Sequence, residues 1–176
     1  IDLFWMKYAY KPYEFIDGKV VALKKLSFQQ SIIALRLTTL LQEFVETHDL
    51  GEALGANSGF ALSANLLRSP RAAFISKSRW ESIQYPYNYY PFAPDISVEI
   101  TSKDTHRKWL LYTAAAYIRA GAQQVWCLHP DTREIAVYKA GGTYRILKAS
   151  HTLTGGDILP GLEIRVDSLL PTSKKR

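Results

Sequence analysis

The sequence has little of several features that define protein classes. It contains one cysteine, which excludes a disulfide framework and any zinc cluster built on cysteine. No run approaches the ~18 consecutive apolar residues that a membrane span requires. The apolar run between Asp2 and Lys7 is too short for the core of a signal peptide. No phosphate-binding glycine loop or dinucleotide motif occurs, which argues against enzymes with nucleotide cofactors. These absences predict a protein without membrane segments, in a reducing cytoplasm.

What the sequence does contain is enough apolar material for one folded domain. The chain has 176 residues, 47% of them hydrophobic and 22% charged, so disorder is excluded. We expect a single domain over residues 13–170, preceded by an N-terminal segment, 1–12, and followed by a flexible basic tail, 171–176.

The formal net charge of +6 suggests a polyanionic partner only if the positive charge is clustered. Three of the positive charges are Lys174, Lys175 and Arg176, in the tail. The remaining chain is only mildly basic. Charge alone therefore leaves two interpretations open, a nucleic-acid-binding protein and a soluble basic protein without that role.

Hydrophobic spacing predicts an α/β or α+β fold, of which we expect the α/β class. The predicted elements, in chain order, are a hairpin over 13–23 turning at Asp17-Gly18, a helix over 27–48, strands over 52–64, 71–76 and 95–101, a helix over 105–120 capped by Asp104, a strand over 125–129, a hairpin over 135–147 and a strand over 162–166. Trp109, Tyr112, Ala116 and Tyr117 are expected to share the buried face of the second helix. The strand after that helix suggests a βαβ crossover.

The densest polar cluster lies on the strand over 95–101. Asp95, Ser97 and Glu99 alternate with apolar residues, so one face of this strand carries two carboxylates. Lys108 lies in the first turn of the next helix, within possible reach of Glu99. Carboxylates that hold Mg²⁺ beside a lysine suit metal-assisted phosphodiester hydrolysis. The alternative is a solvent-facing strand edge with an ordinary ion pair.

At these residues the sequence resembles the Uma family of restriction-type endonucleases, within the PD-(D/E)xK nuclease superfamily. The resemblance covers most of the chain, in segments whose order and spacing make it specific. These segments are 13–20 (YEFIDGKV), 69–75 (SPRAAFI), 94–102 (PDISVEITS), Lys108 with Tyr112, 120–121 (AG), 125–126 (VW), Pro130, 137–138 (VY) and 159–162 (LPGL).

The resemblance implies a restriction-endonuclease-like core of helix, three-stranded meander, helix and strand, with added N- and C-terminal hairpins. It implies that Glu99 is a metal ligand, that Lys108 stabilises charge and that Asp95 is a supporting acid and second ligand. The implied cofactor is Mg²⁺ or Mn²⁺ and the implied partner is DNA. Asp95 lies about 13 Å from Glu99 along an extended strand, so sharing one ion would require a bend near Pro94.

The sequence departs from the family pattern at Arg71, where the family usually has an aspartate after the proline. Arginine at this position would repel a divalent cation, pair with Glu99 or hold a phosphate. Lys103 and Arg107, around the start of the second helix, are also candidates for phosphate contact, and the alternative for them is a solvated rim. We therefore expect a Mg²⁺-dependent DNA endonuclease with an impaired metal site, and no cofactor if the site is degenerate. The alternatives are a catalytically inactive nucleic-acid-binding or scaffolding protein on the same fold, and a member that retains only homo-oligomer assembly.

Overall fold

The structure is a computed structural model that describes residues 1–9, 11–83 and 89–171, so the predicted tail lies outside the described residues except for Pro171. The helices are α1 (Asp2–Tyr8), α2 (Phe28–Thr47), α3 (Lys77–Glu81), α4 (Arg107–Arg119) and α5 (Val166–Leu169). The strands are β1 (Tyr13–Ile16), β2 (Lys19–Ala22), β3 (Gly51–Gly55), β4 (Phe60–Ser63), β5 (Leu66–Arg68), β6 (Ala72–Ser76), β7 (Ile96–Ile100), β8 (Gln124–His129), β9 (Glu134–Lys139), β10 (Tyr144–Lys148), β11 (Thr152–Gly155) and β12 (Leu159–Arg165). Within these residues, no helix is both long enough and apolar enough to cross a membrane.

The strands form three sheets, which confirms the α/β class. The largest has the order β10-β9-β8-β7-β6-β3, and only its β7–β8 pair is parallel. Helix α4 makes the crossover between these parallel strands, as such a connection requires. The other sheets have the orders β2-β1-β5-β4 and β11-β12.

Helix α2 covers one face of the large sheet. Its start is fixed by a capping box, in which the Ser27 hydroxyl accepts from the Gln30 amide at 3.2 Å and the Gln30 side chain accepts from the Ser27 amide at 2.8 Å. The apolar stripe of this helix, including Ile33, Leu37 and Leu41, is fully buried. The side-chain amide of Gln30 also donates to the carbonyls of Ile100 and Thr101 at the end of β7, so the helix start is tied to that strand.

Strand β7 lies inside the large sheet, and all five of its residues are buried. Ile96, Val98 and Ile100 join the core beneath α2. Ser97 and Glu99 point to the opposite face, which α4 covers. The alternative of a solvent-facing strand edge is therefore wrong, because both faces of this strand are covered.

Helix α4 buries only part of the predicted face. The residues it buries are Leu110, Thr113, Ala114, Ala116 and Tyr117, of which Ala116 and Tyr117 were predicted. Trp109 and Tyr112 are instead about 40% exposed, and the Tyr112 hydroxyl points toward the β1–β2 hairpin. The helix also begins two residues later than predicted, with His106 as its N-cap, because 102–105 form a separate turn closed by Ser102 and Thr105.

The segment 52–64, predicted as one strand interrupted by glycines, forms two strands in different sheets. Strand β3 ends at Gly55 on the edge of the large sheet, and β4 pairs with β5 in the four-stranded sheet. Sequence patterning did not predict β5. This short strand has consequences for the site, because it ends at Arg68.

The β1–β2 hairpin forms as predicted. Asp17 and Gly18 both have positive φ, 50° and 77°, as a tight primed turn requires. The Tyr112 hydroxyl donates to both carboxylate oxygens of Asp17, at 3.0 and 3.1 Å. This contact holds the hairpin tip against α4, so the hairpin covers the end of β7 that carries Glu99.

Candidate functional site

Three buried charged side chains meet where the two larger sheets approach each other. The Arg68 guanidinium lies between two carboxylates, with Nε 3.2 Å from Glu14 Oε1 and Nη2 3.9 Å from Glu99 Oε1. The exposed fractions are 6% for Glu14, 2% for Arg68 and 6% for Glu99. We call these three residues the charge cluster. Charges buried to this extent need partners, and here each one has an opposite charge beside it.

Each member of the charge cluster is placed by a different strand. Glu14 lies on β1, Arg68 at the end of β5 and Glu99 near the end of β7. Glu14 is held further by the Ser69 amide, which donates to its Oε1 at 2.8 Å. The cluster therefore exists only when the hairpin, the four-stranded sheet and the large sheet are all assembled.

The environment of Glu99 raises the pKa of its carboxyl to about 7. Burial is the main cause, and the negative charge of Glu14 adds to it. Arg68, Arg71 and the Tyr117 hydroxyl, which donates to Glu99 Oε1 at 3.3 Å, act in the opposite direction without cancelling the effect of burial. Near neutral pH, Glu99 is therefore close to the midpoint of its titration.

Arg68 keeps its positive charge in this environment. Burial alone would lower its pKa, but Glu14, Tyr117 and Glu99 together outweigh that effect, and the pKa is raised. The guanidinium also lies 5.0 Å from the centre of the Trp109 ring, which adds a cation–π contact. The cluster thus contains a permanent cation that belongs to the protein.

A cleft of about 290 Å³ opens onto the charge cluster. It is bounded by the β1–β2 hairpin, by segment 23–26, by the start of α2 and by the approach to α4. Besides Arg68, its basic lining residues are Lys24, Lys25, Arg71 and His106. The lining therefore combines the acids Glu14, Glu99 and Asp104 with the cations Arg68, Lys24, Lys25 and Arg71.

The structure does not bring Asp95 to Glu99. Both of its carboxylate oxygens are engaged at the far end of β7, where Oδ2 accepts from the Ser76 amide at 2.8 Å and Oδ1 accepts from Arg79 at 2.9 Å and Gln123 at 3.1 Å. These contacts lower the pKa of Asp95 in spite of burial, which alone would raise it. No bend near Pro94 brings the two acids together. Asp95 instead links the end of β6, helix α3 and the residues before β8.

Lys108 does not line the cleft, and its side chain is exposed. The reason is helical phase. Nine residues separate Lys108 from Tyr117, which rotates the two positions about 180° apart on α4. Since Tyr117 faces Glu99, Lys108 faces away. Arg68, rather than Lys108, is the cation beside Glu99.

Arg71 comes directly before β6, the strand that pairs with the strand of Glu99. In this antiparallel pair Ala72 lies opposite Val98, so extending the register by one residue places Arg71 opposite Glu99. The Arg71 amide donates to Val98 O at 2.8 Å. Its guanidinium lines the cleft and donates to the Lys24 carbonyl at 3.0 Å. The ion pair with Glu99 that we considered for Arg71 is formed by Arg68 instead.

Lys103 and Arg107, the other two residues expected to contact nucleic acid, are both exposed. Neither lines the cleft. They are adjacent in sequence to Ser102, Asp104 and His106, which do line it.

The residues of the charge cluster do not fit a resident Mg²⁺. Mg²⁺ takes six ligands in near-octahedral geometry, with one or two carboxylates from the protein. The two carboxylates here already share a guanidinium, and a divalent ion placed beside it would be repelled. Across the described residues, no group of three or more potential metal-ligating side chains comes together.

Sequence analysis assigned no part in the site to Glu14, Arg68 or Tyr117, and it placed Tyr117 only on the buried face of the second helix. Glu14 carried a signal, because it shares a face of its strand with Ile16, and an acid on an apolar face needs a buried partner. Arg68 carried none, because a three-residue strand is too short for alternation to reveal which side chain points inward.

Comparisons with known proteins agree on the fold. The family model Uma2, described as "Putative restriction endonuclease", matches residues 6–167. A crystal structure described as "a putative nuclease belonging to DUF820 from Anabaena variabilis" aligns with a TM-score of 0.78 at 17% sequence identity, covering 89% of this chain and 88% of the other. Comparison with curated proteins yields no match.

Proposed function

The chain belongs to the Uma2 family, whose model is described as "Putative restriction endonuclease" and matches residues 6–167, and from that premise we propose that it binds DNA on a nuclease fold with an impaired metal site. In this proposal the wild-type protein holds the phosphate backbone at the cleft and lacks robust Mg²⁺-dependent cleavage.

One observation carries the proposal, namely the position of Arg68 between Glu14 and Glu99. A nuclease that uses a metal needs free carboxylate oxygens for the ion and for the water that it activates. Here a buried guanidinium already neutralises those oxygens. Arg71, opposite Glu99 in the strand pairing, adds a second positive charge where a further carboxylate would help to bind the ion.

The DNA partner is supported by the charges around the cleft. Lys24, Lys25 and Arg71 line it, and the exposed Lys103 and Arg107 are adjacent in sequence to lining residues. Cations of this kind contact phosphates and make binding sensitive to salt.

The proposal assigns no resident Mg²⁺ or Mn²⁺ to the wild-type protein. It keeps the cytoplasm as the compartment, where DNA and a reducing environment are both present. The buried free thiol of Cys127 is compatible with that environment.

Binding and cleavage of labelled DNA by the full chain test this proposal. We expect saturable binding in EDTA that weakens with salt, and no cleavage with Mg²⁺ or Mn²⁺ above the background of the Glu99→Ala variant. Arg71→Ala should weaken binding and reduce, by about one, the steepness with which the logarithm of the binding constant falls with the logarithm of salt concentration. The matched control is Arg165→Ala, because Arg165 is exposed and pairs with Asp167 rather than lining the cleft.

Two results would contradict the proposal. One is metal-dependent cleavage by the wild-type protein that Glu99→Ala abolishes, since this would demonstrate a working metal site. The other is the absence of DNA binding at low salt by folded protein, since this would remove the partner.

A further inference from the structure

The Arg68 guanidinium has the surroundings that proteins usually give to a bound cation. It is 2% exposed, two carboxylates face it, and an aromatic ring covers one side of it. The carboxylates come from strands that are distant in sequence, so the fold brings them together around this one positive group.

The contacts of Arg68 with the two acids are mainly those of charge. Its Nε lies 3.2 Å from Glu14 Oε1 but forms no well-directed hydrogen bond there, and its Nη2 is 3.9 Å from Glu99 Oε1. In a bidentate arginine–carboxylate ion pair, the guanidinium donates two short, parallel hydrogen bonds. Because directional hydrogen bonding to the acids is weak here, another cation in the same position would replace most of the electrostatic stabilisation that Arg68 gives them.

We propose that Arg68 is a built-in counter-ion which occupies a latent divalent-cation site formed by Glu14 and Glu99. The side chain keeps the two carboxylates together and keeps a metal ion out. Removing its positive charge opens the site to Mn²⁺ or Mg²⁺, with the Glu14 and Glu99 oxygens as protein ligands and water completing the coordination from the cleft. This inference rests on the proposed function only for the identity of the site.

The latent site is accessible in the way that a metal site must be. Glu14, Arg68 and Glu99 all line the cleft, so an ion can enter without unfolding the protein. The Ser69 amide donates to Glu14 Oε1 and the Tyr117 hydroxyl donates to Glu99 Oε1, the same oxygens that face Arg68, and neither contact involves the guanidinium. These contacts orient the carboxylates after the guanidinium is removed.

Titration of the purified full chain with Mn²⁺ alone, followed by electron paramagnetic resonance, tests the inference without nucleic acid. The Arg68→Met variant removes the charge but keeps an unbranched side chain against Trp109. We expect it to bind one Mn²⁺ at least about 100-fold more tightly than the wild type, because the repulsion from a unit charge at about 4 Å is removed.

Three control variants make the result specific. Arg68→Lys keeps the charge and should bind Mn²⁺ no more tightly than the wild type. Arg71→Met removes a cleft cation that contacts a carbonyl rather than an acid, and it should change Mn²⁺ affinity by less than Arg68→Met does. The double variant Arg68→Met/Glu99→Gln should lose the Mn²⁺ site.

Every outcome is decisive. Equal Mn²⁺ affinity in wild type and folded Arg68→Met overturns the inference, as does tight binding that survives in the double variant. If Arg68→Met does not fold alone, the inference requires Mn²⁺ to restore a cooperative thermal transition, and failure to do so overturns it. Because the readout is Mn²⁺ binding, its failure is distinguishable from a failure to bind DNA.

Discussion

At the scale of single residues, the charge cluster explains why Glu99 is unusual among the acids of this chain. It faces an arginine, yet the pKa of its carboxyl is raised, because burial outweighs the attraction of Arg68. Asp95, on the same strand, has a lowered pKa because an amide, an arginine and a glutamine all stabilise its charged form. Two carboxylates four residues apart thus have opposite roles, one facing a cleft and one tying the fold together.

The raised pKa of Glu99 predicts a specific dependence of stability on pH. The folded protein holds this proton up to a pH of about 7, whereas the unfolded chain releases it near its ordinary value of 4.5. The free energy of unfolding therefore falls as pH rises through this window, because the folded state binds more protons than the unfolded state.

Replacing Glu99 by glutamine should remove this contribution. We expect Glu99→Gln to gain stability relative to wild type as pH rises from about 4.5 to about 7, by on the order of 3 kcal/mol at the upper end. Urea unfolding at several pH values measures the difference. Glu43→Gln, at an exposed position on α2, should show no such gain. A Glu99→Gln difference that is constant across pH would refute the assignment of the buried proton.

At the scale of secondary-structure elements, helical phase and short strands decided what the sequence could reveal. The α2 helix was predictable in both position and face, because a capping residue precedes a long apolar stripe. The face of α4 was predictable only in part, because Ala116 and Tyr117 are buried as expected whereas Trp109 and Tyr112 are about 40% exposed. Trp109 and Tyr112 look like core residues in sequence but serve as contacts to Arg68 and to the hairpin.

The same element explains the displaced lysine. Expecting Lys108 at Glu99 required the helix to present its first turn to the strand, but Tyr117 fixes the opposite phase. Arg68 could not be found from sequence because β5 is short and pairs not only with the adjacent β4 but also with β1, which is distant in the chain. Contacts between such strands depend on tertiary packing, which local patterns do not encode.

The contact between α4 and the β1–β2 hairpin holds in place the hairpin that bounds one side of the cleft. Tyr112→Phe removes the hydrogen bonds to Asp17 while keeping the ring. Because Tyr112 is partly exposed, we expect a loss of less than about 1 kcal/mol, concentrated in the hairpin.

Amide hydrogen exchange measures this local effect. Amides of β1 and β2 should exchange about threefold faster in Tyr112→Phe, while amides of β8 stay unchanged. Tyr144→Phe is the matched control, since Tyr144 is an exposed tyrosine on β10, away from the hairpin. Equal acceleration in the two variants, or none in either, would mean that the Asp17 contact does not hold the hairpin.

At the scale of the whole molecule, the sequence predicted the α/β class and the family, and both are confirmed. The position of Arg71 beside the strand of Glu99 also follows from strand order alone. The interior of the site did not follow, because it depends on where the two larger sheets and a helix meet. Glu14, Arg68 and Glu99 are separated by tens of residues, and only the assembled fold makes them neighbours.

The net charge of +6 also has a different meaning once the fold is known. Part of the basic excess lines the cleft at Lys24, Lys25 and Arg71. One positive charge, Arg68, is enclosed in the charge cluster and is not available as a surface charge. The basic balance thus combines cations that line the cleft with one cation enclosed in the charge cluster.

The most direct test of this account is a crystal structure of the wild-type protein soaked in Mn²⁺, with anomalous diffraction measured to locate the metal. We predict guanidinium density between Glu14 and Glu99 and no anomalous peak within coordination distance of either carboxylate. An anomalous peak bridging those carboxylates, with Arg68 displaced from between them, would contradict the account.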